Sequence, residues 1–209
     1  ADKAQVVTTS RMASDAVPDD TTAGVLNGNT LVINGVGIAA AIGADDTASY
    51  EGSLAVSSTK AASAIAIAAA INKSSSLTGV TAKADANVVA GTGFTAGAVT
   101  TIELNGVAIA ATLGASSTRE DVLSLFNAHS GETGVVAEAY GDGIKLTAAD
   151  GRNISIGTDG GTAAEASALG LTGVAVGTVG GTGKTHYAAV QLTSDKAFTV
   201  DSGSEGDVK

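Results

Sequence analysis

Gly180-Gly181-Thr182-Gly183-Lys184-Thr185 ends in the Gly-Lys-Thr that closes a phosphate-binding P-loop. The full pattern needs another glycine five positions before Gly183, and Thr178 stands there, with Gly177 one place off. Such a loop must also open a helix whose N-terminal amides face the phosphates, whereas residues 186–192 (HYAAVQL) read as a strand. No nucleotide site is expected. His129-Ser-Gly-Glu132 sets a histidine near a carboxylate, but a zincin needs His-Glu-x-x-His on one helix face. A histidine in a last helical turn is more simply explained by its interaction with the helix dipole. His186 has no serine–acid pair nearby in sequence and is expected to be solvent exposed.

Asp-Gly steps at Asp142, Asp150 and Asp159 offer carboxylate oxygens of the kind hard cations take. They lack the regular spacing of a calcium loop, and turn chemistry explains them better. Asn72-Lys-Ser74 and Asn153-Ile-Ser155 match the N-glycosylation sequon, and residues 74–76 are a serine cluster that could take O-linked sugar. Zero cysteine removes disulfides, thiolate metal sites and a cysteine nucleophile. Two histidines are too few for a multi-histidine metal centre. The expectation is therefore no catalytic, cofactor-binding or metal residue, and no enzyme.

The 209 residues carry 11 Lys+Arg against 21 Asp+Glu, a formal net charge of -10. Nucleic-acid or anionic-membrane binding, which needs clustered cations, is not expected. The longest apolar stretch, residues 61–71 (AASAIAIAAAI), falls short of the roughly 20 residues a membrane span requires. Residues 1–12 have no apolar h-region, so no cleavable secretory signal is expected in this sequence. With 3% aromatics, the core must be built from Ala, Val, Ile and Leu.

What must position these side chains is a pair of internal repeats. Residues 31–39 (LVINGVGIA) are echoed by residues 102–110 (IELNGVAIA), with the shared Asn-Gly at 34 and 105. Ser57-Ser-Thr-Lys60 is echoed by Ser116-Ser-Thr-Arg119, and residues 78–82 (TGVTA) by residues 133–137 (TGVVA). The offset falls from 71 to 59 to 55, so the first copy carries extra residues, assigned mostly to 43–56, a stretch with the composition of a surface insertion. In each copy a β-branched run reaches an Asn-Gly pair suited to a type I′ hairpin turn, and a helix follows. Ser117-Thr-Arg-Glu120 is predicted as a capping box for the second helix, whose stripe is Val122, Leu123, Leu125 and Phe126. The first helix is predicted over 59–73, rich enough in alanine to lie very close to a sheet.

A meander is predicted next in the second copy, over 134–140, 144–147 and 153–156 with a turn at Asp142-Gly143. Thr162-Ala-Ala-Glu165 caps a short helix ending at Gly170, residues 173–183 form a Gly-rich linker, and 187–192 and 197–200 are two strands. The fold class is α+β and β-rich: two repeated strand-hairpin-helix-meander lobes with Gly-rich turns. The domains run 1–30 (N-terminal stalk or strand segment), 31–101 (first lobe), 102–172 (second lobe) and 173–209, a return segment expected to pair with the N-terminal part.

The paired Ile33-Asn-Gly-Val36 and Leu104-Asn-Gly-Val-Ala-Ile109 openings, each with its Ser-Ser-Thr and Thr-Gly-Val segments, resemble the flagellin IN motif. That motif occurs in the outer domains of bacterial flagellins and of flagellar hook-associated proteins. Residues 187–200 (YAAVQLTSDKAFTV) are similar to the segment by which flagellin chains return toward the filament core. The resemblance implies the surface-exposed outer variable region (D2 and D3) of a filament subunit, extracellular and part of the bacterial flagellum. Its partners would be neighbouring flagellin subunits, and host receptors or antibodies at the antigenic surface. Flagellin polymerises through long terminal helices with heptad patterning, which this sequence lacks, so an excised, monomeric fragment is expected. The alternatives are the outer domain of a filament-capping hook-associated protein and an adhesin-like binding module.

Overall fold

The computed structural model describes residues 5–9, 25–52, 58–181 and 183–203. Most of the 1–30 segment, residues 53–57 of the expected insertion, and residues 204–209 lie outside the described residues. The protein is 32% strand and 23% helix, with several antiparallel sheets and few helices, which makes it a β-rich α+β fold.

Strand β1 (Gln5–Thr9) comes first, followed by the hairpin β2 (Leu31–Ile33) and β3 (Val36–Gly37). Short 3-10 turns at Gly43–Asp45 and Lys60–Ala62 lead to helices α1 (Ala64–Lys73) and α2 (Ser75–Thr78), then β4 (Thr81–Ala84). The same series recurs as β5 (Asn87–Ala90), the hairpin β6 (Val99–Leu104) and β7 (Val107–Leu113), helices α3 (Arg119–Ala128) and α4 (Ser130–Thr133), and β8 (Val136–Tyr140). It goes on through β9 (Gly143–Ala148), β10 (Ile154–Thr158), α5 (Ala163–Ala168), β11 (Gly177–Thr178) and β12 (Lys184–His186). Strands β13 (Val190–Ser194) and β14 (Val200–Ser202) close it.

Both Asn-Gly pairs turn their hairpins with φ positive at each central residue: 51° and 78° at Asn34 and Gly35, 50° and 80° at Asn105 and Gly106. That is the type I′ geometry, whose twist matches the flanking strands. The helix starts differ in detail from the sequence reading. For α3 the capping box is Thr118 with Asp121, one residue later than Ser117 with Glu120, because the Ser117 hydroxyl accepts from the Gly114 amide instead. For α1 the N-cap is Ser63, whose hydroxyl accepts from Ala66 N at 3.1 Å, since the Lys60–Ala62 turn occupies the expected first turn. Ser63 and Thr118 are 55 positions apart, the offset already shared by Thr78 and Thr133. The Ser-Ser-Thr match at offset 59 therefore does not align the helix starts.

The strand pairing shows that the two lobes are nested. In the second lobe β9 lies between β5 and β8, and β10 pairs with β6. In the first lobe β13 lies between β1 and β4, and β14 pairs with β2. Residue by residue, Leu146 sits opposite Ala137 and Val89, as Leu192 sits opposite Ala82 and Val7. So β13 is to the first lobe what β9 is to the second. Strands β8 and β9 are joined by the two residues Gly141 and Asp142, whereas the corresponding gap between β4 and β13 holds the whole second lobe.

Two cores follow from this plan. Ile33, Ile38, Ile71, Val80, Val190 and Leu192 pack with the buried alanines of α1, whose small side chains let the helix approach the sheet. Phe126, Ile102, Leu104, Ile144, Leu146 and Ile156 centre the other. Each draws on residues outside the linear segments read from the sequence. The boundary placed at 101/102 falls within β6, β5 pairs in the second lobe, and the strands of the 173–209 segment divide between the lobes. The reason is that pairing follows the repeat, and the repeat is interrupted.

Candidate functional site

Four asparagines hold the lobes in shape. The Asn105 side chain donates to Thr133 O at 2.9 Å and accepts from Ser155 N at 2.8 Å, tying the hairpin turn to the end of α4 and to β10. Asn34 does the same in the first lobe, donating to Thr78 O at 2.7 Å and accepting from Thr199 N at 2.9 Å. Near the end of α3, Asn127 donates to Ala137 O and accepts from Ala137 N, at 2.9 and 2.8 Å. Asn72 repeats this with Ala82 at 2.8 and 2.7 Å. Ala137 and Ala82 lie on β8 and β4, each an edge strand, so each asparagine supplies one residue's worth of the pairing that a further strand would give. The turn role of Asn34 and Asn105 was legible from Asn-Gly; the clamp was not.

Between the lobes lies a buried polar junction. Asn153, just before β10, receives Ser49 from the first lobe: its N–H donates to the Ser49 hydroxyl at 2.9 Å. The Asn153 side chain donates to Thr59 O at 3.1 Å. The Ser58 hydroxyl donates to Tyr50 O at 2.5 Å, and the Tyr50 ring lies so close to Gly106 that a β-carbon there would strike it. Asp46, Ser49, Ser58, Thr59 and Asn153 are all buried. The expected surface insertion thus has a buried part, because Ser49 meets Asn153 of the second lobe and Asp46 is held by Ala48, Ser49 and Ser63 of its own. Burial pushes the Asp46 carboxyl up, but the Ser49 and Ser63 hydroxyls and the amides of Ser49 and Ala48 outweigh it and hold the group below its ordinary value.

Compared with known proteins, the chain matches no family model and no curated sequence. Its chemistry has to be read from the arrangement itself. Among the described residues no three His, Asp or Glu side chains gather as a metal site would require. His129 Nδ1 lies 3.4 Å from Glu132 Oε2 at the exposed junction of α3 and α4. Lys184 and Thr185 of the P-loop-like segment lie in strand β12, paired to β10.

His186 departs from expectation. It is 7% exposed, not solvated, with Nε2 3.1 Å from Ala175 O. Its strand is covered because β12 pairs with β10 and leads straight to the crossing between lobes. Two of the Asp-Gly carboxylates are held by donors of the protein, one by a near neighbour in sequence and one by a distant strand. The Asp150 carboxylate accepts from Arg152 Nη2 at 2.6 Å. Asp159 accepts from Thr100 N at 2.6 Å and Thr101 N at 3.2 Å, bonds that outweigh slight burial and hold its carboxyl below the ordinary value. Neither sequon offers a free amide nitrogen: Asn72 is held by Ala82, and Asn153 is buried with its Nδ2 on Thr59 O.

Sequence reasoning passed over Glu103. It is 0% exposed in β6, on the face opposite the core residues Ile102 and Leu104. One carboxyl oxygen accepts from Gly106 N and Oε2 has no partner. Burial pushes its pKa up to about 7, with the Gly106 bond pulling weakly the other way.

Proposed function

We propose that this chain is a structural outer region of a flagellar filament subunit, presented at the extracellular surface of the filament. Its work is presentation, not turnover. The observation that carries the reading is the Asn-Gly hairpin: the residues on which the resemblance to the flagellin IN motif rests make the same two bonds in both lobes. A motif retained for its physics, twice in one chain, supports a scaffold built from that motif. The net charge of -10 suits a surface that stays solvated while packed beside copies of itself. The partners proposed are neighbouring subunits, and receptors or antibodies that meet the outer face.

Antibodies raised against the purified chain test this on the cells that make it, by immunogold electron microscopy. Labelling along the whole flagellar filament is the expected result. Label confined to filament tips assigns the chain to a capping protein, and label on the cell body with bare filaments rejects the flagellar reading for an adhesin-like module.

A further inference from the structure

The junction between the lobes contains a fully buried carboxyl, Glu103, one oxygen of which meets no hydrogen-bonding partner. Strand β6 alternates, so Ile102 and Leu104 enter the second core while Glu103 points to the opposite side. On β10 the same alternation sends Ile154 and Ile156 into the core and Ser155 to the Glu103 side, opposite Thr185 of β12. This outer side is where the first lobe docks, through Tyr50 on Gly106 and through Ser49 and Thr59 on Asn153. Glu103 is bonded to Gly106, directly under Tyr50.

We propose that Glu103 is a proton-controlled latch on the lobe junction: protonated, it lets residues 46–52 with Ser58 and Thr59 close over β6 and β10; ionised, it favours opening. A carboxylate needs several donors to replace water, and Glu103 has one amide for two oxygens. No ion pair among the described residues includes it. Around it, the covering residues carry Asp46, Tyr50 and Glu51, the turn after them begins with Lys60, β12 carries Lys184 and His186, and Asp159 follows β10; β7 and β11 contribute no charged group. Asp46 accepts the Ala48 and Ser49 amides through Oδ1, with its own Oδ2 left without a partner, and Asp159 accepts from Thr100 and Thr101; as acceptors, neither carboxylate can serve an ionised Glu103.

The sign follows from proton binding. When the junction opens, Glu103 meets water and returns toward the ordinary glutamate value of 4.5, from about 7 when closed. The closed state therefore holds more protons between these limits, and its advantage is complete below 4.5 and lost as pH rises through about 7. The opening constant should rise with pH by up to about tenfold per unit across that window, then level off.

The test is hydrogen exchange of the full chain at pH 5.5 to 8.5, corrected for intrinsic rates, read at the Ser49 and Asn153 amides. The expected result is protection that falls with pH and then levels off, and Glu103→Gln, which keeps an acceptor for Gly106 without the charge, should flatten it. A wild-type profile without slope overturns the latch, and so does an equal slope in Glu103→Gln. Carboxyl NMR on the unmodified chain gives a readout that needs no variant. A Glu103 midpoint near 7 that moves together with the junction amides supports the proposal, and a midpoint near 4.5 sinks it.

Discussion

Replacing Asn105 by alanine should cost the second lobe about 3 to 4 kcal/mol, against about 2 kcal/mol for the same change at Asn34. Both residues sit at φ near 50°, where a β-carbon without a compensating side chain costs about 1 kcal/mol. Both also lose two bonds from the side-chain amide. The difference lies in what is left behind. Asn105 is 8% exposed and its partners belong to Thr133 and Ser155, both fully buried, so an orphaned carbonyl and an orphaned amide each cost about 1 kcal/mol or more. Asn34 is exposed, and its Thr199 partner regains water, leaving only the Thr78 carbonyl poorly served. Urea unfolding with amide exchange resolved for each lobe measures the two costs separately. Asn105→Gly, which keeps the backbone freedom and loses the bonds, should still cost about 2 kcal/mol or more. Equal losses at 34 and 105, or a near-neutral Asn105→Gly, would refute the clamp.

Acid should weaken the junction through a second carboxylate with the opposite sign to Glu103. The Asp46 pKa is lowered on folding, so its contribution is present above the ordinary value of 3.8 and fades as pH falls through the folded value. Asp46→Asn should flatten the acid limb of a stability-against-pH curve measured below pH 4; an unchanged limb would mean the Ser49 and Ser63 bonds carry no differential strength. Nesting predicts a further result. Replacing residues 86–188 by a two-residue Asn-Gly turn should leave β4 and β13 paired as β8 and β9 are, giving a smaller cooperative fold by calorimetry and NMR. Loss of a dispersed spectrum in that deletion would show that the first lobe depends on the second for its structure.

The repeats, the hairpins and the fold class were legible because each rests on local signals: alternation, Asn-Gly, and capping residues ahead of apolar stripes. The nesting was not, although its trace is present. Lys145-Leu-Thr is echoed by Gln191-Leu-Thr, and Val88-Val89 by Val6-Val7, yet the first of these echoes runs in the reverse order of lobes. A search that moves both copies forward together misses an interrupted repeat. The helix clamps had a signal that was available, since Asn72 and Asn127 share the offset of 55 with Thr78 and Thr133. Glu103 had none: its strand neighbours give no hint that the outer face of β6 is covered by another lobe. Likewise His186 looked solvated beside a Gly-rich stretch, whereas its strand pairs with β10 and its ring meets Ala175 O.

The crossing between lobes also sets an order of assembly. Strand β4 must wait for β13, more than a hundred residues further along the chain, and bringing such distant segments together from a flexible coil is slow. The second lobe is contiguous, with short links from β5 to β10. Once it forms, Asp85 N–H meets Ala189 O at 2.9 Å and the Asn87 side chain holds His186 O at 2.7 Å, so the two loose arms leave it side by side. A long loop has then become a short one. The inner lobe acts as a template for the outer, and stretches of the first lobe made earliest are the last to become native.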